Sequence, residues 1–120
     1  MKINNNLINS SSPVYFIAEI GSNFDNSIDR AFKLIELAKE SGAQAVKFQH
    51  YTAETLVSNF GFLNLKSNNT HQSEWKTSVF ETYKKAEFDL NWTEKVFNFC
   101  EKIDIDFITS PYYLENIPVL

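Results

Sequence analysis

Ala18-Glu19-Ile20-Gly21-Ser22-Asn23 and Ala45-Val46-Lys47-Phe48-Gln49 are the stretches whose reading decides the fold. They stand one helix-length apart, and each carries an apolar run into polar residues. A strand of a buried parallel sheet reads as a continuous apolar run. A carboxylate inside Tyr15–Ile20 and an ammonium inside Ala45–Gln49 break that pattern. Such breaks are unfavourable unless the charge is paired or used.

Working outward, Val14–Ile20 has the branched, apolar character of a strand, and Gly21–Asn26 follows as a polar loop. Asn26 or Ser27 is placed to cap a helix in which Ile28, Ala31, Ile35 and Ala38 share one face, widened by Leu34 and Leu37. Gly42 stands where that helix would end in a left-handed residue. After a second strand at Ala45–Phe48, residues 50–91 form an excursion too long for an ordinary connection. Trp75, Val79, Tyr83 and Ala86 predict a helix over 73–87 within it, and the polar stretch Asn59–Gln72 reads as loop. Asn91, with Glu94 three residues on, suggests a capping box for a helix with Trp92, Val96, Phe99, Cys100 and Ile103 on one face. Ile105–Thr109 is the third strand, and Tyr113–Leu120 starts another helical pattern.

Strands alternating with helices predict an α/β fold with a parallel sheet. Gly21 stands alone after the first strand, so the Gly-rich turn of a dinucleotide-binding doubly wound sheet is missing. The better expectation is the N-terminal portion, about three strands, of a (β/α)8 TIM barrel. Residues 1–12, Asn-rich and without periodicity, are expected as a flexible, frayed leader, and 13–120 as the front part of a longer barrel protein.

Composition narrows the function classes. The chain has 120 residues, 43% of them apolar, enough for the core of one small domain. A net charge of −4 with no basic cluster argues against nucleic acid as a partner. No run has the length of a membrane span or the pattern of a signal peptide, and the single Cys100 has no partner for an internal disulfide. A reducing cytoplasm is the simplest home for such a chain.

Side chains alternate along a strand, so Lys47 and Gln49 share one face and Val46 and Phe48 the other. If the apolar pair packs on helices, Lys47 and Gln49 point into the barrel near its catalytic mouth, with Glu19 similarly disposed and Thr109 and Ser110 ending the third strand. Glu19 and Lys47 could instead form a purely structural ion pair, and Thr109 and Ser110 could merely end a strand before Pro111. Taken together the set suits an anionic substrate: Lys and Gln for phosphate or carboxylate oxygens, Glu for a proton or a developing positive charge. His50 and His71 read as loop polar residues rather than metal ligands, and Cys100 as buried filler. Trp75, Phe80, Tyr83, Trp92, Phe97 and Phe99 read mostly as core, and Lys84-Lys85 as a solvated face.

Phe16-Ile-Ala-Glu-Ile-Gly-Ser-Asn23, Ala43-Gln-Ala-Val-Lys-Phe-Gln49, Ala53-Glu-Thr-Leu-Val-Ser58 and Phe107-Ile-Thr-Ser-Pro111, in this order, resemble the N-acetylneuraminate (sialic acid) synthase family across residues 14–120. The resemblance implies a (β/α)8 barrel followed by a small antifreeze-like domain, in a domain-swapped homodimer. It implies condensation of phosphoenolpyruvate with an N-acyl amino sugar, N-acetylmannosamine in the type case, to a nine-carbon 2-keto acid plus phosphate. It also implies a divalent metal, Mn2+ or Mg2+, whose histidine ligands are expected beyond residue 120. Carried over by position, Glu19 would stabilise the cationic centre or move a proton. Lys47 and Gln49 would hold phosphoenolpyruvate, and Ser110 with Thr109 would supply a hydroxyl contact to it. Strand alternation leaves open which of those two faces inward. Asn68 or Asn69 would contact the sugar. Relatives usually read Asn-His-Asp-Gly where this chain has Asn23-Phe24-Asp25-Asn26, a departure beside Glu19. Legionaminic and pseudaminic acid synthases share these strings, and the remaining alternatives are another phosphoenolpyruvate- or aldolase-type barrel and a non-catalytic, sugar-phosphate-binding barrel remnant.

Overall fold

The computed structural model describes residues 1–64 and 75–120. In chain order they form β1 (Lys2–Ile3), β2 (Asn6–Leu7), β3 (Ile17–Gly21), α1 (Ile28–Glu40), β4 (Ala45–His50), α2 (Ala53–Leu56), α3 (Asn59–Leu63), α4 (Val79–Lys85), α5 (Thr93–Lys102) and β5 (Asp106–Pro111), with 3-10 turns at Leu90–Trp92 and Leu114–Asn116. The sheet order is β3-β4-β5, all parallel. Glu19 stands opposite Lys47, Lys47 opposite Ile108 and Gln49 opposite Ser110.

The first β-α-β unit is locally encoded. Ser27 caps α1, its Oγ accepting from the Arg30 N–H at 3.3 Å. At the far end the Gly42 N–H donates to Lys39 O and the Ala43 N–H to Ala38 O, a Schellman closure with Gly42 at φ +88. Nothing lies within 4 Å of where a Gly42 Cβ would sit, so backbone handedness rather than space selects glycine there. β3 starts at Ile17 rather than Val14, because β4 offers ladder partners only from Ala45. Ahead of that point, the Phe16 N–H is satisfied by Gln44 Oε1 at 2.7 Å.

One face of the sheet is covered by helices. Val46 and Phe48 are fully buried with Ala31 and Ile35 of α1 and Val96 and Cys100 of α5. Phe32 and Phe99, 4.5 Å apart, join the two helices. The apolar stripe expected on α5 is the packed one, although Phe97 is exposed. Phe24, in what reads as a polar loop, is fully buried among Phe48, Phe88 and Trp92 at ring separations of 5.5–6.2 Å. The loop dips to plug the space between β4 and the start of α5. Asp25 and Asn26 take positive φ to bring the chain back out.

Several expectations are corrected. Residues 1–12 are not frayed throughout: β1 and β2 pair as an antiparallel hairpin. Asn4, Asn6 and the Tyr15 hydroxyl all donate to the Asp106 carboxylate at the start of β5. Burial, and then that carboxylate, hold the Tyr15 phenol above its usual pKa. Asn91 is not the cap of the last helix. Asp89 accepts from the Asn91 N–H at 2.9 Å, and the chain enters α5 through a 3-10 turn. The helix expected over 73–87 spans Val79–Lys85, beginning at its Ser78 cap. Asn59–Leu63, expected as loop, is a helical turn capped by Ser58. Tyr113–Leu120 contains a 3-10 turn. Lys84 is no bystander, since it bridges Glu54 of α2 at 3.0 Å and Glu87 at 3.3 Å.

Truncating Phe24 removes the plug from this aromatic cluster. Phe24→Ala is expected to lower the unfolding free energy by about 3–5 kcal/mol in urea denaturation; a loss under about 1 kcal/mol would place the ring outside the core.

Candidate functional site

The face of the sheet away from the helices carries the predicted chemistry. Glu19 and Lys47, neighbours across the β3–β4 ladder, form an ion pair. Their side chains are 45% and 30% exposed, so the pair contributes about 1 kcal/mol or less to stability. An apolar pair would contribute at least as much to stability. Stability therefore does not by itself account for two charges in adjacent strands.

Gly21 marks where the polar tips converge. It follows a bulge in β3, with Glu19 opposite Lys47 but Gly21 opposite Phe48, and has φ +58. A Cβ at Gly21 would lie 3.5 Å from Glu19 Oε1, 3.6 Å from Gln49 Nε2 and 3.9 Å from Asn23 Nδ2. The Gln49 amide, at the end of β4, and the Glu19 carboxylate thus flank the same glycine. Asn23, not singled out by sequence reasoning, joins them while donating to Ile20 O at 2.9 Å. A polar residue two past a left-handed glycine was the signal available.

The question between Thr109 and Ser110 has a geometric answer. Ser110 pairs with Gln49 and shares its face. Thr109 pairs with Phe48 and turns to the helix side, where its Oγ1 lies 2.5 Å from His50 Nδ1 and donates to Phe48 O at 3.3 Å. The structure therefore separates Thr109 from the other candidates and brings Glu19, Lys47, Gln49 and Ser110 together. Asn68, Asn69 and His71 lie outside the described residues.

His50 is a correction as well. It is the last residue of β4, not a loop residue, and is fully buried with its ring 4.4 Å from that of Phe88. Its Nε2 lies 3.0 Å from Thr93 Oγ1. Desolvation lowers its pKa from 6.5 to about 4, which keeps it neutral at pH 7. Cys100 fits the filler reading, its thiol pushed up to about 12 by burial and then by Glu101. Among the described residues no three His, Cys, Asp or Glu side chains cluster closely enough to hold a metal ion. Among them, too, no helix is long and apolar enough to cross a membrane.

Parallel strands with an acid, an ammonium, an amide and a hydroxyl gathered at their C-terminal ends define an α/β sheet of the kind that binds ligands at that edge. Residues 34–120 match the NeuB family model, and the chain belongs to that family. It is 31% identical over 121 residues to a pseudaminic acid synthase of Campylobacter jejuni, covering 100% of this chain and 34% of that protein. It is 32% identical over 107 residues to an N,N'-diacetyllegionaminic acid synthase of the same species, covering 87% and 30%. In structure it is similar to the N-acetylneuraminic acid (sialic acid) synthetase of Leptospira borgpetersenii, with a TM-score of 0.78 at 24% identity, covering 100% of this chain and 36% of that one. That likeness speaks to the fold. The chain spans about a third of the length of the curated relatives it matches.

Two measurements check this geometry. Gly21→Ala forces a left-handed alanine and is expected to cost about 1 kcal/mol, read as a lower denaturation midpoint. Because folded His50 has its pKa near 4 against 6.5 in the unfolded chain, the unfolded state takes up the proton first. Stability should then fall as pH drops from about 6.5 and stop falling from this source near pH 4. The total loss is up to about 3 kcal/mol, and it should be missing in His50→Gln.

Proposed function

We propose that this chain forms the phosphoenolpyruvate-binding part of a sialic-acid-type synthase, its sheet being the first three strands of a (β/α)8 barrel. The observation that carries the reading is the gathering of Glu19, Lys47, Gln49 and Ser110 on one face at the C-terminal ends of consecutive parallel strands. The names of the relatives, synthases of pseudaminic and diacetyllegionaminic acid, support the same class of reaction.

Each side chain then has a task set by its chemistry. The Lys47 ammonium attracts the phosphate and carboxylate charges of phosphoenolpyruvate. It is held toward them by Glu19 before the ligand arrives, which limits the side-chain entropy lost on binding. The Gln49 amide and the Ser110 hydroxyl donate to the remaining anionic oxygens. Once the enol carbon attacks the sugar aldehyde, positive charge develops at the former enol C2, and the Glu19 carboxylate opposes it until water adds and phosphate leaves. The sugar co-substrate is an N-acylated amino sugar. Relatives named for different products match this chain at almost the same identity, so overall likeness does not choose among such sugars. The divalent metal expected for the aldehyde finds no ligand set among the described residues.

In the full-length protein, phosphate release from phosphoenolpyruvate with a panel of N-acyl hexosamines tests the reading. Lys47→Ala should raise KM for phosphoenolpyruvate at least about tenfold, and Glu19→Gln should lower kcat by about a hundredfold with KM little changed. Unchanged kinetics in both variants would return the pair to a structural ion pair. Absence of phosphate release with every sugar would favour a non-catalytic, sugar-phosphate-binding barrel.

A further inference from the structure

We propose that His50 is a positioning residue of the anion-binding face: by gripping Thr109 and Thr93 at once, it holds the ends of β4 and β5 so that Gln49 and Ser110 stay side by side. This rests on the reading of that face as a phosphoenolpyruvate site.

The bonding pattern selects one arrangement of protons. Thr109 Oγ1 has a single proton, which goes to Phe48 O at 3.3 Å. With that proton committed to Phe48 O, the Thr109 oxygen accepts from His50 Nδ1–H, 2.5 Å away. A neutral ring then has Nε2 free to accept the Thr93 hydroxyl proton at 3.0 Å. The Nδ1–H tautomer is the one that also leaves the Thr109 proton for Phe48 O. Three elements meet at this ring, because Thr109 lies on β5, His50 on β4 and Thr93 opens α5.

The location ties the clamp to the site. His50 follows Gln49, Thr109 precedes Ser110, and Gln49 and Ser110 are ladder partners on the opposite face. Strand ends fray first, since they have fewer ladder bonds to lose. Here the Gln49–Ser110 pair, next to last in the ladder, is pinned from behind by side chains, and past it His50 O accepts from the Tyr112 N–H at 2.9 Å. An apolar residue would fill the space beside Phe48 and Phe88 without the desolvation cost of an imidazole. A fully satisfied buried polar network adds uniqueness of geometry instead, which a binding face requires.

The test uses the full-length protein. His50→Leu should raise KM for phosphoenolpyruvate about tenfold while leaving KM for the amino sugar within about twofold, the size expected when a binding group is misplaced by a fraction of an ångström. His50→Gln, which keeps a donor and an acceptor, should recover most of that loss. Thr93→Val removes one bond of the clamp and decides the matter if His50→Leu fails to fold, with about a threefold rise expected. Ring 15N shifts, assigned by the signal lost in His50→Gln, should show a neutral ring protonated on Nδ1 at pH 7. A proton on Nε2, or wild-type KM values in Thr93→Val and in a folded His50→Leu, would overturn the clamp. A purely structural role would lower kcat through a reduced active fraction with KM unmoved, and would also overturn it. If the wild-type protein itself ignored phosphoenolpyruvate, the underlying reading of the face would fail, a result distinct from any difference among the His50 variants.

Discussion

The pleat of β4 is the constraint on which the rest of the structure depends. Among the described residues it is the strand of the parallel sheet with a neighbour on both sides, so its register fixes theirs. Val46, Phe48 and His50 are given to the helices, while Lys47 and Gln49 are given to the open face. A slip of one residue would drive Lys47 and Gln49 among the phenylalanine rings and expose Phe48. An unpaired charge buried in that way costs several kcal/mol. The charges that point to function therefore also specify the fold, by making the neighbouring registers unaffordable.

The apolar side supplies the precision of the polar side. Phe24 reaches down from the loop after Glu19 and packs on Phe48, which lies between Lys47 and Gln49 in the chain. Phe88 touches Phe24, Phe48 and His50. Rings in such contact contribute beyond their buried area, by about 0.5–1.5 kcal/mol per pair. The face that carries Glu19, Lys47 and Gln49 is thus backed by a layer of packed aromatic rings.

What was legible in the sequence was what periodicity and end signals encode. The alternation at 46–49, the Ser27 cap, the Gly42 stop and the α5 stripe are local patterns with local causes. What was not legible arises from contacts between distant segments. Nothing near Phe24 says that a loop phenylalanine will be buried, because its partners come from three other segments. His50 reads as polar until Thr93 and Thr109 are brought to it. Asn91 has a good capping signature, yet Asp89 competes for the same backbone and wins two residues earlier. On the site, Glu19, Lys47 and Gln49 followed from strand alternation. The choice of Ser110 over Thr109 needed the β4–β5 register, which no single strand contains.

The Asp106 carboxylate joins the two ends of the chain. Its partners Asn4 and Tyr15 are 102 and 91 residues away in the chain. The β3-α1-β4 unit closes over short separations and can form on its own terms, whereas loop-closure entropy delays contacts of such range. Asp106 opens the last strand of the sheet, so its carboxylate is in place only once β5 has docked on β4. The hairpin of residues 2–7 is thus tied to the sheet through the strand farthest from it in the chain, a closure of the costliest range the described contacts contain.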